Sequence, residues 1–135
     1  MNVEGFTLTD LSGENVAFKN GILKAFDNGM VSPISKNSSG QIQPHRPESF
    51  GKLSVMAPEV YESFFVSNKK YCPEKSIAWK IGAILFLLVT GRYPQQVTNN
   101  VNDNKMYLRQ WFNKLQHGWK SPLVQDYITK SFPGV

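Results

Sequence analysis

The sequence predicts a mainly helical fold with a short β element at its amino end. After residue 50, apolar residues recur at helical spacing in successive stretches punctuated by Gly and Pro. Before residue 31, short apolar runs are broken by turn residues. With 135 residues the chain is long enough to bury one core of ordinary domain size. Its 41% apolar and 19% charged residues are those of a globular chain rather than a disordered one.

The elements follow in order. Phe6 to Leu8 alternates apolar and polar, which predicts a short strand running into Asp10, and Asp10-Leu11-Ser12-Gly13 reads as a turn. Val16-Ala17-Phe18, Asn20-Gly21 and Ile22-Leu23 fit a hairpin, because Asn-Gly suits a type I′ turn. Leu23-Lys24-Ala25-Phe26 would also suit a helical turn. From Ser32 to Ser49 the composition shifts to Pro33, Ser35, Asn37, Ser38, Ser39, Gly40, Pro44 and Pro47, a long mobile loop with almost nothing to bury.

Three organised regions are therefore expected: a strand and turn region over 1–31, a loop over 32–50 and a helical region over 51–135. In the last of these, Ala57-Pro58-Glu59-Val60-Tyr61 starts a short helix, with Pro58 in a first turn where a missing N–H costs little. Ser76 is the expected cap of an apolar helix that runs to Thr90 and stops at Gly91. Asp103 or Asn104 begins the next, with Leu108, Trp111, Phe112 and Leu115 on one face and Gly118 after it. Ser121-Pro122 opens a last helix whose buried side is Val124, Tyr127, Ile128 and Phe132.

Composition also sets expectations about partners. The net charge is +5, but the cations are scattered and only Lys69-Lys70 are adjacent. A nucleic-acid binder would more often carry a basic stripe interleaved with aromatics, so no nucleic-acid partner is expected. The single Cys72 excludes an intrachain disulfide, and with two distant histidines it makes no zinc site at a familiar spacing. The apolar run Ile77–Val89 contains Lys80 and falls short of the roughly 20 residues that cross a bilayer, so it reads as a helix buried inside a protein. The amino terminus has no signal-peptide pattern, and a cytoplasmic or nuclear location follows as the expectation.

The order of four segments says more than any one of them. Phe6-Thr-Leu8-Thr-Asp10-Leu11-Ser12 is similar to the strand and Asp-Phe-Gly turn of protein kinases. Gly51-Lys52-Leu53-Ser54-Val55-Met56-Ala57-Pro58-Glu59 resembles the end of the activation segment, with its Ala-Pro-Glu motif. Trp79-Lys80-Ile81-Gly82 and the run to Gly91-Arg-Tyr-Pro94 look like the central helix of the large lobe and the turn after it. Leu115-Gln116-His117-Gly118 and Asp126-Tyr127-Ile128 look like the two helices that follow. The chain thus resembles the carboxyl-terminal lobe of the protein-kinase superfamily from about Phe6 to Phe132, as a pseudokinase or a truncated kinase.

That resemblance carries expectations. The glycine-rich loop, strand lysine and catalytic loop precede the Asp-Phe-Gly turn in the family, and only nine residues precede Asp10 here. No catalytic residue is therefore expected, and no cofactor, with ATP and Mg²⁺ entering only as part of a complete kinase. Asp10 matches the family's magnesium-binding aspartate, a vestigial metal ligand on that reading and a plain turn aspartate on the other. Leu11 and Ser12 replace phenylalanine and glycine, Lys52 stands where a threonine is usual, and Ile77 stands where an aspartate holds the catalytic loop. An isoleucine there avoids burying a carboxylate without a partner. Ala57, Pro58, Glu59, Trp79 and Gly82 carry the structural motifs.

Glu59 would pair in the family with an arginine of a later helix. Here it is expected at the surface, on another base such as Arg92, or against a partner. Ser35, Ser38, Ser39 and Ser49 lie where the family is often phosphorylated, with Arg46 and Lys52 as counter-charges. The function implied is a non-catalytic module that binds a protein partner, a kinase or a substrate. Tyr107, Trp111 and Trp119 are candidate anchors, or simply core. The alternative is a fragment of a Ser/Thr kinase whose remaining parts lie elsewhere.

Overall fold

A computed structural model of the chain describes residues 2–3, 5–26, 31–95, 97–98, 100–116 and 122–131. Its architecture is mixed rather than purely helical. Two small antiparallel sheets occupy the amino-terminal part, and the helices follow.

The first sheet has the order β1 (Asn2–Val3), β2 (Phe6–Leu8), β5 (Val31–Pro33). β2 is the expected strand, and it pairs with β5 in the register Phe6↔Pro33, Thr7↔Ser32, Leu8↔Val31. The second sheet is the expected hairpin, β3 (Val16–Lys19) with β4 (Ile22–Ala25). Asn20 and Gly21 join them at φ of 52° and 77°, the left-handed pair that a type I′ turn requires. The chain over Leu23–Phe26 is accordingly strand through Ala25, and the helical-turn reading of it is corrected. Cross-strand pairing satisfies those amides better than one isolated helical turn would.

The segment from Ser32 to Ser49 departs from its composition. Ser32 and Pro47 are buried, Lys36 bridges Ile42, and His45 bridges Tyr71. Asn37 organises the tip, its Oδ1 accepting from the amides of Ser39 at 3.0 Å and Gln41 at 2.8 Å. Side-chain acceptors thus do for this loop what a sheet ladder does elsewhere.

The helical part contains α1 (Pro58–Tyr61), α2 (Pro73–Thr90), α3 (Val101–Gln116) and α4 (Pro122–Ser131). Pro58 stands in the first turn of α1, as expected, and a π-helical turn over Glu62–Ser67 prolongs that helix until Asn68 ends it at φ 54°. The start of α2 differs from expectation. Cys72 holds the cap position and Pro73 opens the helix, while Ser76 lies a turn inside and donates to the Pro73 carbonyl at 2.7 Å. Proline at the first position outcompetes a later serine because it is pre-set for helix entry. Gly91 stops α2 as expected, at φ 75°. α3 begins at Val101, ahead of Asp103, because Asn100 Oδ1 accepts from the amides of Asn102 and Asp103 at 2.9 and 3.2 Å.

The core lies between α1, α3 and the inner side of α2. Met56, Ala57, Val60, Tyr61, Tyr71, Leu108 and Phe112 are buried in one cluster, with Phe50, Leu53, Phe64, Phe65, Trp79, Tyr107 and Trp111 packed around it. Its rings meet edge to face: Tyr61 on Phe112 at 5.6 Å, Trp79 on Phe112 at 5.8 Å, and Phe50 on both Phe64 and Phe65 at 5.2 Å. Gln95 is a buried polar tie through this cluster. Its Oε1 accepts from Trp79 Nε1 at 3.0 Å, and its Nε2 donates to the carbonyls of Met56 at 2.9 Å and Leu53 at 3.3 Å.

α2 is not the wholly buried helix that its apolarity suggests. Ile77, Lys80 and Ala83 face inward, whereas Ile81, Leu85, Leu88 and Val89 are exposed. Uniform apolarity along a helix hides which face is covered, so the covered side had to come from packing. The side chains of Leu115, Val124, Tyr127 and Ile128, and residues Gly118, Ser121 and Phe132, lie outside the described residues.

Candidate functional site

The inward face of α2 carries a charge into the interior. The place that receives it is the turn around Asp10. β2 delivers the chain to Thr9 and Asp10, and a single 3₁₀ turn over Gly13–Asn15 closes the loop behind them. Asn15 is buried and holds that closure. Its Nδ2 donates to the Asp10 carbonyl at 2.9 Å and to Asp10 Oδ2 at 3.4 Å. Its amide donates to the Ser12 carbonyl at 3.0 Å.

Gly51 passes on the other side, at φ 73°, so close that a Cβ there would lie 2.5 Å from the Thr9 carbonyl oxygen and 3.3 Å from Asp10 Oδ1. Only glycine fits both the conformation and the space. Asp10 Oδ1 is buried beside it and has no hydrogen-bond partner among the described residues.

Lys80 enters this corner from α2. It is 3% exposed, and its Nζ donates to the Thr9 carbonyl oxygen. Burial pushes its pKa down to about 8, while the negative charges of Asp10 and then Glu59 act to hold it up. It is therefore still an ammonium at neutral pH. The Asp10 carboxylate acts on that charge without an ion pair within 4 Å, and its Oδ1 has no hydrogen-bond donor among the described residues.

An outer ring of polar groups surrounds the turn. Lys52 Nζ donates to Ser12 Oγ at 3.1 Å and meets Glu14 Oε2 at 3.4 Å. Tyr93 accepts from the Gly13 amide at 2.9 Å and donates to Glu14 Oε2 at 3.1 Å. Burial tends to raise the Glu14 pKa. Its backbone hydrogen bond, those of Ser12 and Tyr93, and the Lys52 charge together hold it below the usual value. This ion pair is open to solvent and contributes little by itself.

The residues do not fit a magnesium ion at Asp10. A hard dication needs several free oxygens in near-octahedral array. Here the Asp10 carbonyl and Oδ2 each accept from Asn15, Gly51 passes close to Oδ1, and an ammonium is already held on the neighbouring Thr9 carbonyl. Among the described residues no three His, Cys, Asp or Glu side chains converge to hold a metal. These contacts suit a plain turn aspartate at position 10 better than a vestigial metal ligand.

The other singled-out positions are dispersed. Ala57 is buried in the core and Trp79 packs on it, but Gly82 faces open space, where a Cβ would meet nothing within 4 Å. Glu59 is exposed and forms no ion pair among the described residues. Ile77 is 4% exposed, in surroundings that suit an isoleucine and not a lone carboxylate. Ser38 and Ser39 are exposed, Ser35 and Ser49 half-buried. Arg46 stands over the Phe64 ring at 4.4 Å and Lys52 engages Glu14, so both candidate counter-charges already have partners. Tyr107 and Trp111 pack against the core, and Trp119 lies outside the described residues. Asn15 and Gln95 carry no sequence signal, whereas Tyr93 and Lys80 are legible only as members of the segment that resembles the kinase large-lobe helix and the turn after it, Lys80 also as an odd charge in an apolar run.

No family model matches the chain. Over 104 residues it is 30% identical to serine/threonine-protein kinase CHK1 of Saccharomyces cerevisiae, across 76% of this chain and 19% of that kinase. The chain thus spans about a fifth of the length of the curated relative it matches. No described helix is long and apolar enough to cross a membrane. The relationship that these findings support is a distant, kinase-like one over most of the chain.

Proposed function

We propose that this chain is a non-catalytic, kinase-like carboxyl-terminal-lobe module that binds a protein partner, a kinase or a kinase substrate. The observation that carries the reading is the outer face of α2, where Leu85, Leu88 and Val89 are 56%, 74% and 70% exposed. Ala78 and Gly82 lie on the same exposed side, leaving room for close approach. An apolar face of this kind marks an interaction site when it is contiguous. The β3–β4 hairpin adds Phe18, Ile22 and Leu23, also exposed. Tyr107 and Trp111, the other candidate anchors, pack half-buried against the core.

The test is a photo-crosslinker placed at position 88 and, as control, at exposed Lys69. A partner captured from position 88 alone, then reconstituted from purified protein, is expected to bind at least about tenfold more weakly to Leu85→Glu. Equal capture from both positions, or binding indifferent to Leu85→Glu, sinks the reading.

A second reading rests on the match to a serine/threonine kinase: the chain is part of a Ser/Thr protein kinase and works only with its remaining parts. Thermal stabilisation of the chain by Mg-ATP would favour it over the non-catalytic module. So would a transcript encoding the strand lysine and catalytic loop in frame upstream.

A further inference from the structure

We infer that the Lys80 ammonium, tethered from α2, supplies the positive charge beside Asp10 that a divalent cation would otherwise bring, so that the turn is fixed without a metal and rejects one. This stands apart from the docking face of α2 and does not depend on it.

Four observations converge. Lys80 Nζ is committed to the Thr9 carbonyl oxygen, one residue from the carboxylate, and is almost wholly removed from water. Asp10 Oδ1 is buried with no hydrogen-bond donor among the described residues, a cost that a nearby positive charge offsets. Asn15 occupies the other two oxygens of Asp10. Gly51 passes so near that a Cβ there would lie 3.3 Å from Asp10 Oδ1. The acidic groups that act on Lys80 are Asp10 from the turn and Glu59 from α1.

An ammonium and a dication cannot share such a corner. Their repulsion in a partly desolvated site opposes what one carboxylate oxygen returns. A tethered cation also has an entropic advantage over a free ion, because its translational freedom was already lost on folding. The consequence is a turn whose order is set by folding and is insensitive to divalent ions. Lys80 is thus a positioning residue for the Asp10 turn.

The experiment is Mn²⁺ titration followed by paramagnetic broadening of backbone amide signals, on the full chain and on Lys80→Gln. Glutamine keeps a donor for the Thr9 carbonyl and removes only the charge. The wild-type protein is expected to show no selective broadening at Leu11–Asn15. Lys80→Gln is expected to bind Mn²⁺ there at least about tenfold more tightly, the effect of one opposing charge removed. Adding Asp10→Asn to that variant is expected to abolish the gain. Selective broadening at the turn in the wild-type protein overturns the inference, and needs no variant to fold. A folded Lys80→Gln as blind to Mn²⁺ as the wild type also overturns it.

Discussion

Two regions packed against α2 are held together by opposite means. Beneath Trp79 lies an aromatic cluster of Tyr61, Phe65 and Phe112, stabilised by apolar area and ring contacts. Around Lys80 lies a polar corner of Thr9, Asp10, Ser12 and Asn15, in which Lys80 and Asn15 each answer a specific oxygen. The first kind of packing degrades gradually, each lost methylene costing its share. The second fails in steps, because one missing partner strands another buried polar atom. The same helix therefore joins a surface that tolerates variation to one that does not.

The largest expected effect breaks the aromatic side. Phe112 is 6% exposed and touches both Tyr61 and Trp79, so Phe112→Ala leaves a cavity at the junction of α1, α2 and α3. Chemical denaturation should show a loss of about 3–5 kcal/mol. A loss below about 1 kcal/mol would show that this cluster does not organise the fold.

The polar side should reveal itself through pH. The folded pKa of Lys80, about 8, lies below its ordinary 10.5, so the unfolded chain binds more protons between these values. Stability is therefore lowest with Lys80 charged at about pH 8 and below, and it rises as pH climbs toward 10.5. The full gain is about 3 kcal/mol. Burial, and then the Glu59 charge, push Tyr71 up to about 12. The stability it contributes is complete below pH 10 and is lost as pH rises from there through about 12. Denaturation midpoints should thus increase from pH 8 to about pH 10 and then fall. Lys80→Met should flatten the rising limb, and a rising limb that survives the substitution would assign it to another group.

Gln95 bridges the two kinds of packing, a polar side chain 1% exposed within the aromatic cluster. Gln95→Ala strands the Trp79 indole N–H and the Met56 carbonyl at once. The expected loss is about 2–3 kcal/mol, smaller than for Phe112→Ala and larger than its small apolar area would give. A loss within about 0.5 kcal/mol would mean that water replaces the amide at no cost.

The contrast also explains what the sequence made legible. β2, the Asn20-Gly21 hairpin, Pro58 and Gly91 are local devices, each written in two or three adjacent residues, and each stands where it was expected. The apolar cluster was partly visible too, in Leu108 and Phe112 at helical spacing. The Asp10 corner was not, because its members come from residues 9–15, 51 and 80 and no local pattern joins them. Asp10 was singled out through the kinase resemblance, which also implied a metal role. The one visible sign of the actual partner was a lysine amid Trp79, Ile81 and Leu85, a charge that an apolar helix tolerates only where something answers it. Ser76 failed as a cap for the reverse reason: a local rule was applied where Pro73, three residues earlier, had already set the helix start.

The smallest stability effect belongs to the outer face of α2, and its smallness is what makes it informative. Leu85 and Leu88 lie on the side away from both the aromatic cluster and the Lys80 corner, and more than half of each is open to solvent. If the folded chain uses them only for folding, Leu85→Glu with Leu88→Glu removes partial burial and should cost well over 1 kcal/mol. If they are kept for a partner, the pair should change stability by no more than about 0.5 kcal/mol, the usual range for exposed positions. Two glutamates in the last two turns of α2 lie against the helix dipole, so a small loss is the expected sign. Unchanged denaturation together with lost partner binding would separate the outer face from the two inner ones, since neither Phe112 nor Lys80 can be altered without the fold responding.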